Sequence, residues 1–262
     1  MDLNLQGHAA IVQGGSKGIG RGIAEALAAE GCDIVLTARN REALEKTAAD
    51  LAASTGRRVL PYAADTANLA GIPALLDAVR AEFGRLDIIV CNSGGPPPGR
   101  MKDLTAEQWS AAAQLLVVSP VSLLRQALPL LEKSPAPRFF VVTSSSSRTP
   151  IPGLTLSNVY RPAVVGLVKT LTDEFSGTEL CCHSIAPGRF DTDRLGHVID
   201  IQVKETGGTR EEVIARMAES IPARRLGEPI EIGHLVAFLS SPLAAYLRGG
   251  NWLVDGGLVR AV

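Results

Sequence analysis

The chain has 262 residues, 26 basic against 27 acidic side chains, 46% hydrophobic residues and 26 glycines. A net charge of −1, with no basic run longer than the pairs Arg57-Arg58 and Arg224-Arg225, excludes the electrostatic footprint of a nucleic-acid binder. A charged content of 20% with apolar residues throughout excludes disorder, and a chain this long buries roughly three quarters of its unfolded surface without disulfides or a structural metal. Residues 1–8 show neither a positive leader nor an apolar core, and no run reaches the roughly 18 apolar residues of a membrane span, so neither secretion nor membrane insertion is expected. Cys32, Cys91, Cys181 and Cys182 form no CxxC pair and fall in or beside apolar runs, which fits free thiols in a reducing, cytoplasmic compartment. His8, His183, His197 and His234 are scattered without ligand spacing, so no metal site is expected.

In chain order, short β-rich runs alternate with longer helical ones. Strands are predicted at 9–14, 34–38, 59–63, 86–91, 138–143, 180–186 and 251–254, most of them the continuous apolar runs of strands covered on both faces. Helical spacing fills 19–30, 41–54, 68–83, 106–131, 159–175 and 229–239. Gly31, Gly56 and Gly84 stand where helices stop, and Thr105 with Gln108 has the capping-box spacing at the head of the fourth helix. Pro162 is best tolerated in a first turn, which starts the next helix near Val159 and leaves Ser157 in the loop before it. The alternation is that of βαβ units: one α/β domain over residues 1–262, a doubly wound parallel sheet of about seven strands with helices on both faces. Residues 190–226 hold no strand and mix Val198, Ile199, Ile201 and Val203 with charges. They are expected to form a partly helical excursion, either a lid on a partly apolar substrate or a packed structural helix, at the edge where such sheets bind ligands.

Directly after the first strand comes Gly14-Gly15-Ser16-Lys17-Gly18-Ile19-Gly20, leading into the first helix. There the backbone must turn sharply, approach a phosphate and present helix N-terminal amides to it, demands that glycine meets. A Rossmann-type dinucleotide site is the expectation.

The spacing GxxxGxG at Gly14, Gly18 and Gly20 resembles the short-chain dehydrogenase/reductase superfamily, in particular its 3-oxoacyl-acyl-carrier-protein-reductase-like members. Asp65 after the third strand, Asn92-Ser93-Gly94 after the fourth, Pro187-Gly188 with Thr192 after the sixth, and Asp255-Gly256-Gly257 match the family in order along nearly the whole chain. The resemblance implies cofactor contacts from the glycine loop (Gly14, Ser16, Lys17, Gly18, Ile19 and Gly20), from Asp65 and Thr66 at the adenine, Asn92 near the ribose, and Pro187, Gly188 and Thr192 at the nicotinamide amide. Charge decides between cofactors. A carboxylate at the end of the second strand selects NAD, but Ala38 and Arg39 stand there, and Lys17 and Arg41 add positive charge that suits a 2′-phosphate, so NADP(H) is favoured over NAD(H).

In the resembled family, hydride passes between nicotinamide and a carbonyl carbon while a tyrosine protonates the alkoxide, aided by a lysine four residues on, a serine and an asparagine of the fourth helix. This sequence departs from that set: Ser157 stands at the tyrosine position, Arg161 at the lysine, Leu116 at the asparagine, and the serine is Ser144 or Ser145 within a four-serine run. A serine hydroxyl is a far weaker acid than a phenol of pKa about 10, and an arginine holds charge without passing a proton. Tyr160 lies about one turn from Ser157 and about 60° round the helix. Three readings stand: Tyr160 as the acid with Ser145 and Arg161 polarising the carbonyl; Ser157 or water as the proton source; or a nucleotide-binding protein without redox turnover, acting as sensor, scaffold or non-redox enzyme. Arg161 would also contact the cofactor ribose.

A small-molecule carbonyl or alcohol is the expected substrate. Residues 94–99 (Gly-Gly-Pro-Pro-Pro-Gly) form a stiff loop suited to a pocket wall, and Arg100, Arg148 and Arg189 lie in loops at the same sheet edge. The resemblance further implies a homo-oligomer, tetramer or dimer, with the apolar run 252–254 and Leu258-Val259 as contact surface or intramolecular core.

Overall fold

A computed structural model describes residues 1–261, apart from the side chains of His197 and Glu205. Seven parallel strands form one sheet in the order β3-β2-β1-β4-β5-β6-β7: β1 Ala9–Gln13, β2 Asp33–Ala38, β3 Val59–Ala63, β4 Ile88–Cys91, β5 Arg138–Val142, β6 Cys181–Pro187 and β7 Asn251–Val254. The chain moves outward from β1 to β3, then crosses back to pair β4 with β1, Ile11 opposite Ile89. That reversal opens a crevice at the strand ends. Helices α1 Gly18–Ala29, α2 Arg41–Thr55, α3 Ile72–Phe83, α4 Ala106–Ala113, α5 Ser119–Leu131, α6 Thr155–Glu174, α7 Asp193–Thr206, α8 Arg210–Glu219 and α9 Pro229–Ser240 complete the fold.

Alternation along the strands divides the core in two. Val12, Val90 and Phe140 join Ile23 and Leu27 of α1 and Ile232 and Val236 of α9 on one face. Ile11, Ile89 and Phe139 join Val79 of α3, Leu123 and Leu124 of α5 and Val164 and Val168 of α6 on the other. Helices α4 and α5 are one 26-residue apolar run, joined by a π turn at Gln114–Val118, with a mean hydropathy of 1.4 that composition alone would allow in a membrane. Here its apolar face is the sheet-covering layer, since Leu123, Leu124, Ala127, Leu130 and Leu131 are buried against strands and α3.

One expectation changes. Helix α6 begins at Thr155, not near Val159, so Ser157 lies inside its first turn and Pro162 in its interior. The Asn158 side chain accepts from the Ile151 amide (3.0 Å) and donates to the Ile151 carbonyl (2.8 Å), fastening the preceding loop to the helix and holding this early start. Residues 190–226 contain α7 and α8 with a small core of their own, Ile199 between Val213 and Met217, while Val198 and Ile201 stay exposed. Amide–carbonyl bonds from Asp191 to Gly227 and from Gly227 to Arg189, both 2.9 Å, clamp the base of this excursion.

β7 is the sheet edge; its Trp252 donates from Nε1 to His183 Nδ1 (3.1 Å) and packs on the core. His183 is fully buried, and burial, with the charges of Arg138 and Lys169, pushes its pKa down to about 4. Because the unfolded chain takes up this proton near pH 6.5 and the folded one does not, stability is present above that pH and is lost as pH falls toward 4. The loss from this group is on the order of 3 kcal/mol. Denaturant titrations between pH 7 and 4.5 are expected to show it, and His183→Phe to flatten the slope while lowering the plateau; an unchanged slope in the variant would refute the assignment.

Candidate active site

The crevice is built by close backbone contact between the loops after β1 and β4. Gly14 sits at φ +63°, and a Cβ there would lie 2.5 Å from the Asn92 carbonyl oxygen. A Cβ on Gly20 would lie 2.2 Å from the Gly14 oxygen. The first turn of α1 therefore packs on the loop that feeds it, with Asn92 against both. No side chain caps α1, so its first amides point unclaimed into the crevice, as an anion site requires. Ser16 is held from behind, its carbonyl accepting the Thr47 hydroxyl at 2.9 Å, and Ile19 leans on the core. Gly20→Ala is expected to destabilise the fold by about 2–4 kcal/mol and abolish nucleotide binding, read by denaturant melts and calorimetry; a variant that binds normally would contradict this contact.

Toward β3 lies a cavity of about 110 Å³ lined by Gln13, Thr37, Tyr62, Asp65 and Thr66. Gln13 Oε1 is buried in it without a partner, an acceptor suited to an amino group. Asp65 uses one carboxylate oxygen to accept the Ala67 amide (2.9 Å), and the Thr66 carbonyl accepts the Ser119 hydroxyl (2.5 Å), so the loop after β3 is strapped to the start of α5. Of the three cations expected around a 2′-phosphate, Lys17 instead pairs with Asp193 of α7 at 2.8 Å and Arg41 faces Glu45 at 3.8 Å. Arg39 is exposed and has no ion pair among the described residues.

At the end of β5 the four serines divide. Ser145 and Ser146 are buried, whereas Ser144 is half-exposed and accepts the Ser146 amide at 3.1 Å. The Ser157 hydroxyl lies 3.2 Å from that of Ser146, giving a linked set Ser144–Ser146–Ser157 in which Ser145, expected beside the carbonyl, takes no part. Arg161, one turn beyond Ser157, is only 6% exposed; its Nη1 donates to the Val142 carbonyl at 2.6 Å and its Nε has no partner. Burial, reinforced by the charge of Arg194, pushes its pKa down to about 10, so it is charged at neutral pH with no carboxylate beside it among the described residues. Tyr160 turns the other way: its hydroxyl donates to the Trp109 carbonyl of α4 (3.2 Å) and its ring meets Trp109 edge-on at 5.9 Å. Leu116, at the family's asparagine position, is buried within the π turn.

On the β6 side, Pro187 closes the strand and Gly188 abuts Asp255, where a Cβ would come within 2.5 Å. Thr192 caps α7 through the Leu195 amide (3.4 Å) and its methyl group faces Gly18. Arg189 is spent on the end of α8, donating to Met217 O and Ser220 Oγ, and Arg148 reaches Asn251 O at 3.5 Å. Sequence reasoning missed Ser146, hidden by the ambiguous register of the serine run, and Arg194, whose only signal was its place directly after the Thr192-Asp193 pair. Replacing Arg161 by methionine removes an unneutralised buried charge. The melting temperature is expected to rise by a few degrees while nucleotide affinity falls; a lower melting temperature would mean the charge is neutralised within the protein.

The reversal of strand order, the glycine cradle and the cavity toward β3 define a Rossmann-type α/β protein of dinucleotide-binding architecture. The family described as Enoyl-(Acyl carrier protein) reductase matches residues 14–259. Relatives include 3-oxoacyl-[acyl-carrier-protein] reductase FabG of Vibrio cholerae, 31% identical over 98% of this chain and 99% of its own. Among solved structures, L-sorbose reductase from Gluconobacter frateurii, complexed with NADPH and L-sorbose, is 31% identical, covers 100% of both chains and superposes with a TM-score of 0.96. A short chain oxidoreductase from Pseudomonas aeruginosa PAO1, described as containing an atypical catalytic center, is 29% identical over 97% of this chain and 98% of its own, with a TM-score of 0.90. The chain belongs to the short-chain dehydrogenase/reductase superfamily, a family of oxidoreductases.

Proposed function

We propose that the protein is an NADP(H)-dependent oxidoreductase that reduces a carbonyl, a ketone or 3-oxoacyl-like compound, to an alcohol or runs the reverse. The observation that carries this reading is Arg161: a buried, charged guanidinium with an unpaired Nε, held at the end of β5 beside three linked serines. The glycine loop and first amides of α1 would hold the pyrophosphate, Asp65, Thr66 and Gln13 the adenine, Arg39 a 2′-phosphate, Asn92 and Arg161 the ribose region, and Pro187, Gly188 and Thr192 the nicotinamide amide. When bound, the cofactor supplies or accepts the hydride.

Ser144 donates a hydrogen bond to the carbonyl oxygen, and Arg161 stabilises the negative charge that grows there. Tyr160 is committed to Trp109 O, so the proton comes from solvent by way of the Ser157 and Ser146 hydroxyls rather than from a phenol, while Ser144, joined to Ser146 only through the Ser146 amide, orients the carbonyl and relays no proton. Residues 190–226 cover the substrate, with Val198 and Ile201 supplying exposed apolar contacts on α7. Four buried free thiols suit a reducing cytoplasm, and we infer a homo-oligomer, dimer or tetramer, from the family resemblance. A second reading, nucleotide binding without redox turnover, is favoured by Leu116 and by the absence of a phenol at position 157.

NADPH oxidation against a panel of ketones and 3-oxoacyl thioesters tests the proposal. Ser144→Ala and Ser157→Ala are expected to lower kcat/KM by roughly 10- to 100-fold, and Tyr160→Phe to leave it within about twofold. A large loss in Tyr160→Phe would restore the phenol as the acid, and inertness of the unaltered protein with NADPH bound would favour the second reading. In Arg39→Asp the preference for NADPH over NADH should fall by about 10-fold or more, and an unchanged ratio would remove Arg39 from the phosphate.

A further inference from the structure

A second arginine shares the carbonyl end of the crevice. Arg194, in the first turn of α7, reaches the loop after β4: a Cβ on Gly95 would fall 2.2 Å from both its Nη1 and Nη2. Any side chain at position 95 would displace the guanidinium, so the glycine of that otherwise stiff loop is the seat on which it rests. Arg194 has no ion pair among the described residues, and it acts on Arg161 closely enough to lower that group's pKa. Asp191, three residues before Arg194, is exposed and joins no ion pair with either arginine among the described residues, and two further acids are committed elsewhere. Asp193 pairs with Lys17 at 2.8 Å, and Asp255 accepts the amides of Gly257 (2.9 Å) and Val259 (2.7 Å).

Two guanidiniums therefore stand at one end of the crevice, Arg161 buried with an unpaired Nε and Arg194 exposed at its mouth. Like charges brought together in a partly dry site repel unless an anion joins them, and a planar fork of donors suits an oxyanion. The ribose hydroxyls that Arg161 would bind are neutral, and an oxidised nicotinamide ring is itself a cation, so neither meets the demand. Resting on the reductase reading above, we propose that the substrate is a carbonyl compound carrying a carboxylate beside the C=O, a 2-oxo or 3-oxo acid, and that Arg194 is the residue that binds this carboxylate, with Arg161 behind it. The competing source of an oxyanion is the cofactor pyrophosphate, and the test separates the two.

NADPH binding is measured first by fluorescence for the unaltered protein, Arg194→Gln and Arg194→Lys. Calorimetric titration of the NADP⁺-loaded protein with acetoacetate and 2-oxobutanoate, each against its methyl ester, follows, together with turnover of the same four compounds. The unaltered protein is expected to bind and use at least one acid about 10- to 100-fold better than its ester. Arg194→Gln should erase that discrimination through KM, leave the ester and the NADPH affinity within about twofold, and Arg194→Lys should recover part of the difference. Acid binding without turnover still supports the carboxylate site. Equal binding of acid and ester, or no binding of either acid at millimolar concentration, overturns it. A loss of NADPH affinity in Arg194→Gln, with acid and ester falling alike, assigns the arginine to the pyrophosphate instead. Failure of the unaltered protein to bind NADPH sinks the reductase reading itself, and shows before any acid is added.

Discussion

The contact on which everything else depends is the one between the backbone of the glycine loop and the loop leaving β4. β1 and β4 are neighbours only because the chain has reversed direction in the sheet, and at their ends Gly14, Gly20 and Asn92 touch with no room for a Cβ. This contact fixes α1 relative to the strand ends and leaves its first amides without a side-chain cap. The satellite pieces are fastened around it: the loop after β3 to Ser119 by the Thr66 carbonyl, and Gly99 to the loop before α6 by its bond to the Gly153 carbonyl (2.7 Å). Such a cradle tolerates wide variation elsewhere, because it is made of backbone.

Within that cradle the charge balance is unusual. Burying a guanidinium without a carboxylate is expensive, and proteins normally pair such a group or expose it. Asp33 takes both Arg57 and Arg58, and Asp87 takes Arg85, the hydrogen bonds outweighing burial and holding both carboxyls below their ordinary range, while the fully buried Arg138 has no carboxylate but donates to the backbone carbonyls of Pro137, Glu179, Leu239 and Ser241. Arg161 differs from both cases: it is buried with one bond, from Nη1 to the Val142 carbonyl, and its Nε has no partner. Stability is given up locally at a position that strain or unpaired charge usually marks as functional.

How much of this was legible before the coordinates follows from range. The strands at 59–63 and 251–254 and the capping box at Thr105 are local patterns, and they stand at those positions. The start of α6 was misplaced because proline's preference for a first turn is a local rule, overridden by the two hydrogen bonds of Asn158 to Ile151 and by the burial of Leu156, Arg161 and Val164. Lys17 and Tyr160 illustrate a different limit. Their positions in the chain follow from the motif, but the direction of each side chain is set by partners far away, Asp193 for one and Trp109 for the other, and no periodicity announces such a pairing.

Tyr160 also shows why a missing phenol cannot be replaced simply by the nearest one. A helix turns about 100° per residue, so side chains at positions three and four beyond Ser157 diverge by a full step round the axis. Arg161 falls on the face that meets β5, where Val142 receives it; Tyr160 falls on the face that meets α4. For its hydroxyl to reach the serines, the ring would have to leave Trp109 and cross the helix, giving up an aromatic contact and a hydrogen bond with nothing in the described structure to replace them. On the face that Arg161 shares with Ser157 the chain offers hydroxyls and positive charge, and the proposed reductase reading draws its proton from there. Hydroxyls and guanidiniums act on a substrate oxygen by electrostatics more than by acid strength, and it is on this ground that the proposed reading gives a second arginine beside them a bearing on substrate choice.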